Sequence, residues 1–154
     1  MHNVPTNKLP TIGSVLGFDF GLKRVGVAVG DMLLGVAHPH TVVYADSNEA
    51  RMTAVAALIR EWQPCALVVG EPSNEDGSAH ELAPVARKFG NRMRENFKLP
   101  VTFVDEFLSS AEAGSKLAEQ GVHGRAQKES IDAVAAQIIL QSYFDDLKRT
   151  RDAA

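Results

Sequence analysis

Large apolar residues alternate with small or polar ones along residues 15–20, and this period of two predicts a β-strand. The small or polar face of this strand carries Gly17 and Asp19, and Gly21 continues the same alternation. Residues 25–30 repeat the alternation, with valines on one face and small residues on the other. Because a short turn at 21–24 joins the two segments, the pattern predicts a β-hairpin.

The rest of the chain predicts three more strands and four helices. Strands are expected at 37–45, 65–70 and 101–106, and helices at about 47–63, 82–97, 109–120 and 127–147. On the last helix, a core stripe is expected at Ile131, Val134, Ala135 and Ile138. The order β-β-β-α-β-α-β-α-α predicts an α/β fold with a five-stranded mixed sheet flanked by helices.

The composition is that of one ordinary globular domain. The chain has 154 residues, of which 45% are hydrophobic and 23% charged. We expect a flexible N-terminal tail at 1–13, a single domain at 14–148 and a C-terminal tail at 149–154. No apolar run indicates a secretory signal or a membrane partner, and Cys65 is the single cysteine, so a cytoplasmic location is expected.

Asp19 is the first candidate for chemistry, because it interrupts an apolar strand. Burying an unpaired carboxylate costs several kcal/mol, so such a residue needs a cation, hydrogen-bond donors or a function. Its flanking glycines are expected to leave room for a ligand. The alternative is that Asp19 ends the strand and caps the turn through its side chain.

Further carboxylates fall at the end of the fifth strand and on the last helix. Asp105 and Glu106 are adjacent, so alternation sends them to opposite faces of the sheet. Asp132 heads a helical row that continues with Ala136, Ile139 and Tyr143. The alternative for Asp132 is an acidic residue near a helix N-terminus, favoured by the helix dipole.

An α/β sheet can bring Asp19, Asp132 and either Asp105 or Glu106 together. Such oxygen ligands suit Mg²⁺ or Mn²⁺. Two ions about 3.5 to 4 Å apart would support phosphodiester hydrolysis. His38 and His40, the only close pair of histidines, are more simply explained as structural. The net charge of −3 argues against a protein that coats nucleic acid by bulk electrostatics.

Four motifs, taken in order, resemble the YqgF (RuvX) family. They are GFDFGLKRVGVAVGD (17–31), VVGEPSNEDGS (68–78), VDEFLSSAEA (104–113) and IDAVAAQIILQSYFD (131–145). The resemblance implies an RNase H-like fold related to the RuvC Holliday-junction resolvases. It also implies a hydrolase that acts on phosphodiester bonds and matures the 5′ end of pre-16S ribosomal RNA.

The resemblance also implies roles for particular residues. It makes Asp19, Glu106 and Asp132 the catalytic and metal-binding carboxylates, holding Mg²⁺ or Mn²⁺, and so selects Glu106 over Asp105. The substrate-binding positions that it suggests are Lys23, Arg24, Gly70, Asn74, Ser109 and Lys128. Phe107 departs from the family pattern, which usually has Arg there, and Glu71 and Glu75 make the loop at 70–78 more acidic.

Several alternatives stay open at this point. The substrate could be branched DNA rather than a ribosomal RNA precursor, or the chain could be a non-catalytic RNA-binding factor of ribosome biogenesis that associates with the ribosome. Related resolvases work as dimers, so a homodimer is a further alternative. A sugar-kinase or actin-like ATPase is disfavoured, because such proteins need a second domain. Few aromatic residues occur outside the predicted core, so no base-stacking platform is expected.

Overall fold

The computed structural model describes residues 12–73, 80–105 and 124–153. Its elements are β1 (Ser14–Asp19), β2 (Arg24–Asp31), β3 (Val36–Tyr44), α1 (Asn48–Trp62), β4 (Ala66–Glu71), α2 (Ala83–Phe97), β5 (Val101–Asp105) and α3 (Gly124–Ala153). The strands begin and end within about one residue of the predicted positions. The helix predicted at 109–120 lies outside the described residues.

The five strands form one mixed sheet in the order β3-β2-β1-β4-β5. The first three strands are antiparallel neighbours, whereas β4 and β5 run parallel to β1. The prediction of a five-stranded mixed sheet is therefore confirmed. Its centre is β1, so the residue that ends β1 lies in the middle of one sheet end.

Helices cover both faces of the sheet. On one face, the large residues of β1 and β2 pack with α1 and α2, in a core that includes Leu16, Phe18, Val25 and Val27. On the other face, α3 packs against the small residues of the hairpin. The predicted alternation is thus confirmed, and it places Asp19 on the α3 face. In the described part of the chain, no helix is long and apolar enough to cross a membrane.

Helix α3 lies very close to the hairpin because glycines occupy the contact. A Cβ atom added to Gly26 would lie 1.8 Å from the carbonyl oxygen of Asp132, and one added to Gly17 would lie 2.8 Å from Cβ of Leu140. We expected the glycines beside Asp19 to leave room for a ligand, and for Gly17 this is wrong. Its space is filled by α3, because the helix can approach only where the sheet lacks side chains.

Two predictions about α3 are also corrected. The helix runs to Ala153, so residues 149–153, expected as a tail, are helical. The row that packs on the sheet is Ala136, Ile139, Leu140 and Tyr143. The predicted stripe instead forms a separate cluster around Val134 and Ala135. Apolar residues occupy both sides of this helix, so periodicity alone could not identify the sheet-facing side.

Gly26→Ala tests the close contact between α3 and the hairpin. Because the new methyl group would meet helix backbone, we expect a loss of about 3 kcal/mol in the free energy of unfolding, measured with urea. Gly35→Ala is the control, since Gly35 has φ +66° and no neighbour within 4 Å of an added Cβ. It should lose only about 1 kcal/mol, from backbone strain. Equal losses in the two variants would contradict the packing described here.

Candidate active site

A cavity of about 480 Å³ opens where the end of the hairpin meets α3. Its described lining consists of Asp19, Phe20, Gly21, Leu22, Lys23, Arg24, Tyr44 and Asp132. Two of the predicted carboxylates and two of the predicted basic residues therefore face one space. They come from the β1–β2 hairpin and from α3, which are far apart in sequence.

Asp19 reaches this cavity as the last residue of β1. Its Cα pairs with that of Gly26, the glycine over which the Asp132 carbonyl lies. The side chain is half-buried. Thus the same close approach that brings α3 onto the sheet also brings the backbone of Asp132 next to Asp19.

Asp132 is a half-buried carboxylate whose Oδ2 atom is buried and incompletely satisfied. Arg24 Nε lies 3.1 Å from Asp132 Oδ2, but this oxygen accepts no hydrogen bond from a described residue. The contact is therefore an ion pair whose N–H group is poorly aligned with the oxygen. Burial raises the pKa of Asp132 above its ordinary value, and the charge of Arg24 partly offsets that increase.

The helix-dipole explanation of Asp132 does not fit the structure. Helix α3 begins at Gly124, so Asp132 lies beyond its first turn. The dipole stabilises charges mainly within the first turn of a helix. A carboxylate placed further along, on the side that faces the sheet, has no stabilisation from this source, and its burial requires another explanation.

Arg51 of α1 stabilises the turn between β1 and β2. This side chain is 5% exposed, and its guanidinium donates hydrogen bonds to the carbonyl oxygen of Leu22 and to Asn48 Oδ1. It also lies 5.2 Å from the centre of the Phe20 ring. Sequence reasoning missed Arg51, although its position one turn before Val55, on the same helical row, predicts a buried side chain.

The other predicted site residues lie elsewhere or outside the described residues. Gly70 is buried near the end of β4 and is not part of the described cavity lining. Lys128 is in α3, but its side chain is not described. Glu106, Asn74 and Ser109 lie outside the described residues, as do Phe107 and Glu75.

The residues around Asp105 form a separate group. Asp105 accepts a hydrogen bond of 2.6 Å from the Ser73 hydroxyl, and it lines a different cavity, between β5 and the C-terminal half of α3. Glu71 forms an ion pair with Arg87. The acidity that Glu71 adds to this loop is therefore locally balanced.

The described side chains offer a divalent ion an incomplete set of ligands. No three His, Cys, Asp or Glu residues within 12–73, 80–105 and 124–153 could hold a metal ion together. Asp19 and Asp132 supply two hard oxygen donors in one cavity, and Oδ2 of Asp132 accepts no hydrogen bond from a described residue. This donor chemistry fits Mg²⁺ or Mn²⁺ with a third ligand from outside the described residues.

The fold is that of the RuvC-like proteins with RNase H-like architecture. Thermus thermophilus RuvC, solved in complex with a Holliday junction substrate, matches with a TM-score of 0.55 and 17% identity, covering 90% of this chain and 97% of that one. The yeast mitochondrial Holliday junction resolvase Ydc2 also gives 0.55, at 11% identity, covering 96% of this chain and 85% of that one. At these identities the likeness concerns the fold alone.

Sequence comparison identifies the family. The chain belongs to the RuvX family, whose model, described as "Holliday junction resolvase", matches residues 13–146. A relative from Methylobacillus flagellatus is 56% identical over 135 residues, 88% of this chain and 92% of the relative. One from Neisseria meningitidis is 46% identical over 145 residues, 94% of this chain and 92% of the relative. Both relatives are named "Putative pre-16S rRNA nuclease".

Asp132→Asn tests whether the buried charge costs stability. A carboxyl whose pKa is raised by folding destabilises the protein once it ionises, so this cost is absent below the ordinary aspartate pKa and complete above the raised one. We therefore expect the variant to match the wild type near pH 3.5 and to be more stable at pH 7, in urea unfolding without divalent ions. A variant less stable than the wild type at pH 7 would mean that the ion pair with Arg24 outweighs the burial cost.

Proposed function

We propose that this protein is a metal-dependent endonuclease that hydrolyses phosphodiester bonds. The observation that carries the proposal is the convergence of Asp19 and Asp132, with Lys23 and Arg24, on one cavity. The names of the RuvX relatives support the same reaction type and suggest the substrate, a precursor of 16S ribosomal RNA. We propose maturation of its 5′ end, in the cytoplasm and in association with the ribosome, as the biological role.

Asp19, Asp132 and Glu106 would hold the ion or pair of ions. A divalent ion bound there lowers the pKa of a water molecule and stabilises negative charge on a phosphodiester. Glu106 follows β5 directly in sequence, and β5 runs parallel to β1, so the described strand that precedes Glu106 ends at the same end of the sheet as Asp19. Alternation along a strand assigns Asp105, which pairs with Ser73, to a different role.

Lys23 and Arg24 would bind the phosphate. Both are exposed at the cavity, where their two positive charges equal the two negative charges of Asp19 and Asp132. Without a divalent ion, the described lining therefore has no net attraction for an anion. With an ion held by Asp19 and Asp132, the cavity would be positive, and Arg24, no longer paired with Asp132, would be available to contact phosphate.

A branched DNA junction is the second candidate substrate. The RuvX family model is described by that activity, and the fold matches a RuvC that was solved on a junction. A homodimer would accommodate the two strands that a resolvase cuts. A cleavage assay with Mg²⁺ or Mn²⁺, comparing a 16S ribosomal RNA precursor with a four-way DNA junction, separates the two substrates. We expect cleavage of the RNA precursor to be faster.

Substitution of the carboxylates tests the catalytic assignment. Asp19→Asn, Glu106→Gln and Asp132→Asn should each lower cleavage at least about 100-fold, because each removes a charged metal ligand. Asp105→Asn is the matched control, and it should cleave at a rate close to that of the wild type.

Two results would contradict the proposal. Loss of cleavage in Asp105→Asn, with activity kept in Glu106→Gln, would exchange the roles of these neighbours. No metal-dependent cleavage of RNA or DNA by the wild type would favour a non-catalytic RNA-binding factor.

A further inference from the structure

Tyr44 and Leu22 form an exposed apolar rim on the cavity that contains Asp19 and Asp132. Tyr44 is 59% exposed and Leu22 is 57% exposed, and both belong to the described lining. Large apolar side chains exposed together at a polar cavity are typical of binding surfaces. From the sequence we expected no base-stacking platform, because Tyr44 ends an ordinary strand and its exposure at this cavity could not be predicted.

Tyr44 lies next to the charged groups of the cavity. Its Cα pairs with that of Arg24 in the register between β2 and β3, so both side chains project from the same face of the sheet, the face on which α3 lies. Asp19 is two strands away, across β2. Two strand spacings of about 5 Å each, combined with an offset of two residues (about 7 Å) along the strands, give a separation of about 12 Å. A phosphate near Asp19 and a nucleobase near Tyr44 can thus belong to one nucleotide chain.

The backbone around this rim is well anchored. The amide of Ala45 donates a hydrogen bond of 3.1 Å to the carbonyl of Lys23, which ties the end of β3 to the turn. The carbonyl of Leu22 accepts a hydrogen bond from the buried guanidinium of Arg51. Ordering these backbones in advance reduces the entropy lost when a ligand stacks on the side chains.

The surrounding charge favours a nucleic acid as the ligand. Lys23 and Arg24 flank the apolar rim, and neither is buried. An aromatic ring beside exposed cations is the arrangement by which proteins bind unpaired nucleotides, with the base on the ring and the phosphates on the cations. An apolar protein partner would not need the two cations next to the ring.

We propose that Tyr44, supported by Leu22, stacks on an unpaired nucleobase next to the phosphate that enters the carboxylate cavity. The inference rests on the proposed function, because it assumes that the phosphate to be cleaved binds in the carboxylate cavity. It names the substrate class as single-stranded or locally unpaired nucleic acid, since a base inside a duplex has both faces covered by its neighbours. Stacking on a ring does not distinguish RNA from DNA. The site should therefore prefer single-stranded over double-stranded nucleic acid, whichever of the two it is.

The test is a binding experiment that does not require cleavage. Single-stranded oligonucleotides carrying one 2-aminopurine, placed at successive positions, are titrated with protein in EDTA and in Ca²⁺, and fluorescence quenching reports stacking. We expect quenching at one position with the wild type. Tyr44→Ala should abolish it and weaken binding about tenfold, whereas Tyr44→Trp should keep both.

The second comparison uses a matched pair of leucines. Leu22→Ala should weaken binding, while Leu34→Ala, which removes an equally large side chain that is 74% exposed at the β2–β3 turn, should not. A fully paired duplex should bind more weakly than the single strand and show little quenching. Oligonucleotide binding and quenching that Tyr44→Ala leaves unchanged would overturn the inference and point to a protein partner for this rim.

This inference and the proposed function can fail separately. Cleavage that depends on Asp19 but is unaffected in Tyr44→Ala, with no loss of quenching, would overturn the stacking site alone. Quenching that depends on Tyr44, in a wild-type protein that cleaves no nucleic acid, would support the stacking site and contradict the nuclease.

Discussion

The close contact between α3 and the β1–β2 hairpin determines where the functional groups lie. Because Gly26 has no side chain, the backbone of Asp132 lies directly over it, and Gly26 is the cross-strand partner of Asp19. Gly17 allows Leu140 to approach the sheet in the same way. Any larger side chain on this row would move α3 away from the sheet and separate the two carboxylates.

The electrostatics of the cavity follow from this contact. Packing partly buries the Asp132 carboxyl and raises its pKa, and the only described ion-pair partner for it is Arg24, which is partly exposed. A partner in that position offsets part of the burial cost and remains exchangeable, because solvent can replace it. The arrangement leaves Asp132 with an ion-pair partner that a divalent ion could displace, as our proposal requires.

Much of this arrangement could be predicted from the residues. The period-two pattern correctly placed Asp19 on the face opposite Leu16 and Phe18, and the helical row beginning at Asp132 is the one that packs on the sheet. The glycines were misinterpreted, because a missing side chain indicates space but does not show whether a helix or a ligand fills it. Arg51 was missed since its role depends on a carbonyl 29 residues away.

The central claim is that Asp19 and Asp132 bind the same divalent ion. A double-mutant cycle of Mn²⁺ affinity, measured by electron paramagnetic resonance on the wild type, Asp19→Asn, Asp132→Asn and the double variant, tests it most directly. If both carboxylates ligate one ion, each single substitution should weaken binding at least about tenfold, and the double variant should lose little more. The account would be contradicted if the losses of Mn²⁺ binding free energy in the two single variants added up in the double variant. It would also be contradicted if either single variant bound Mn²⁺ as the wild type does.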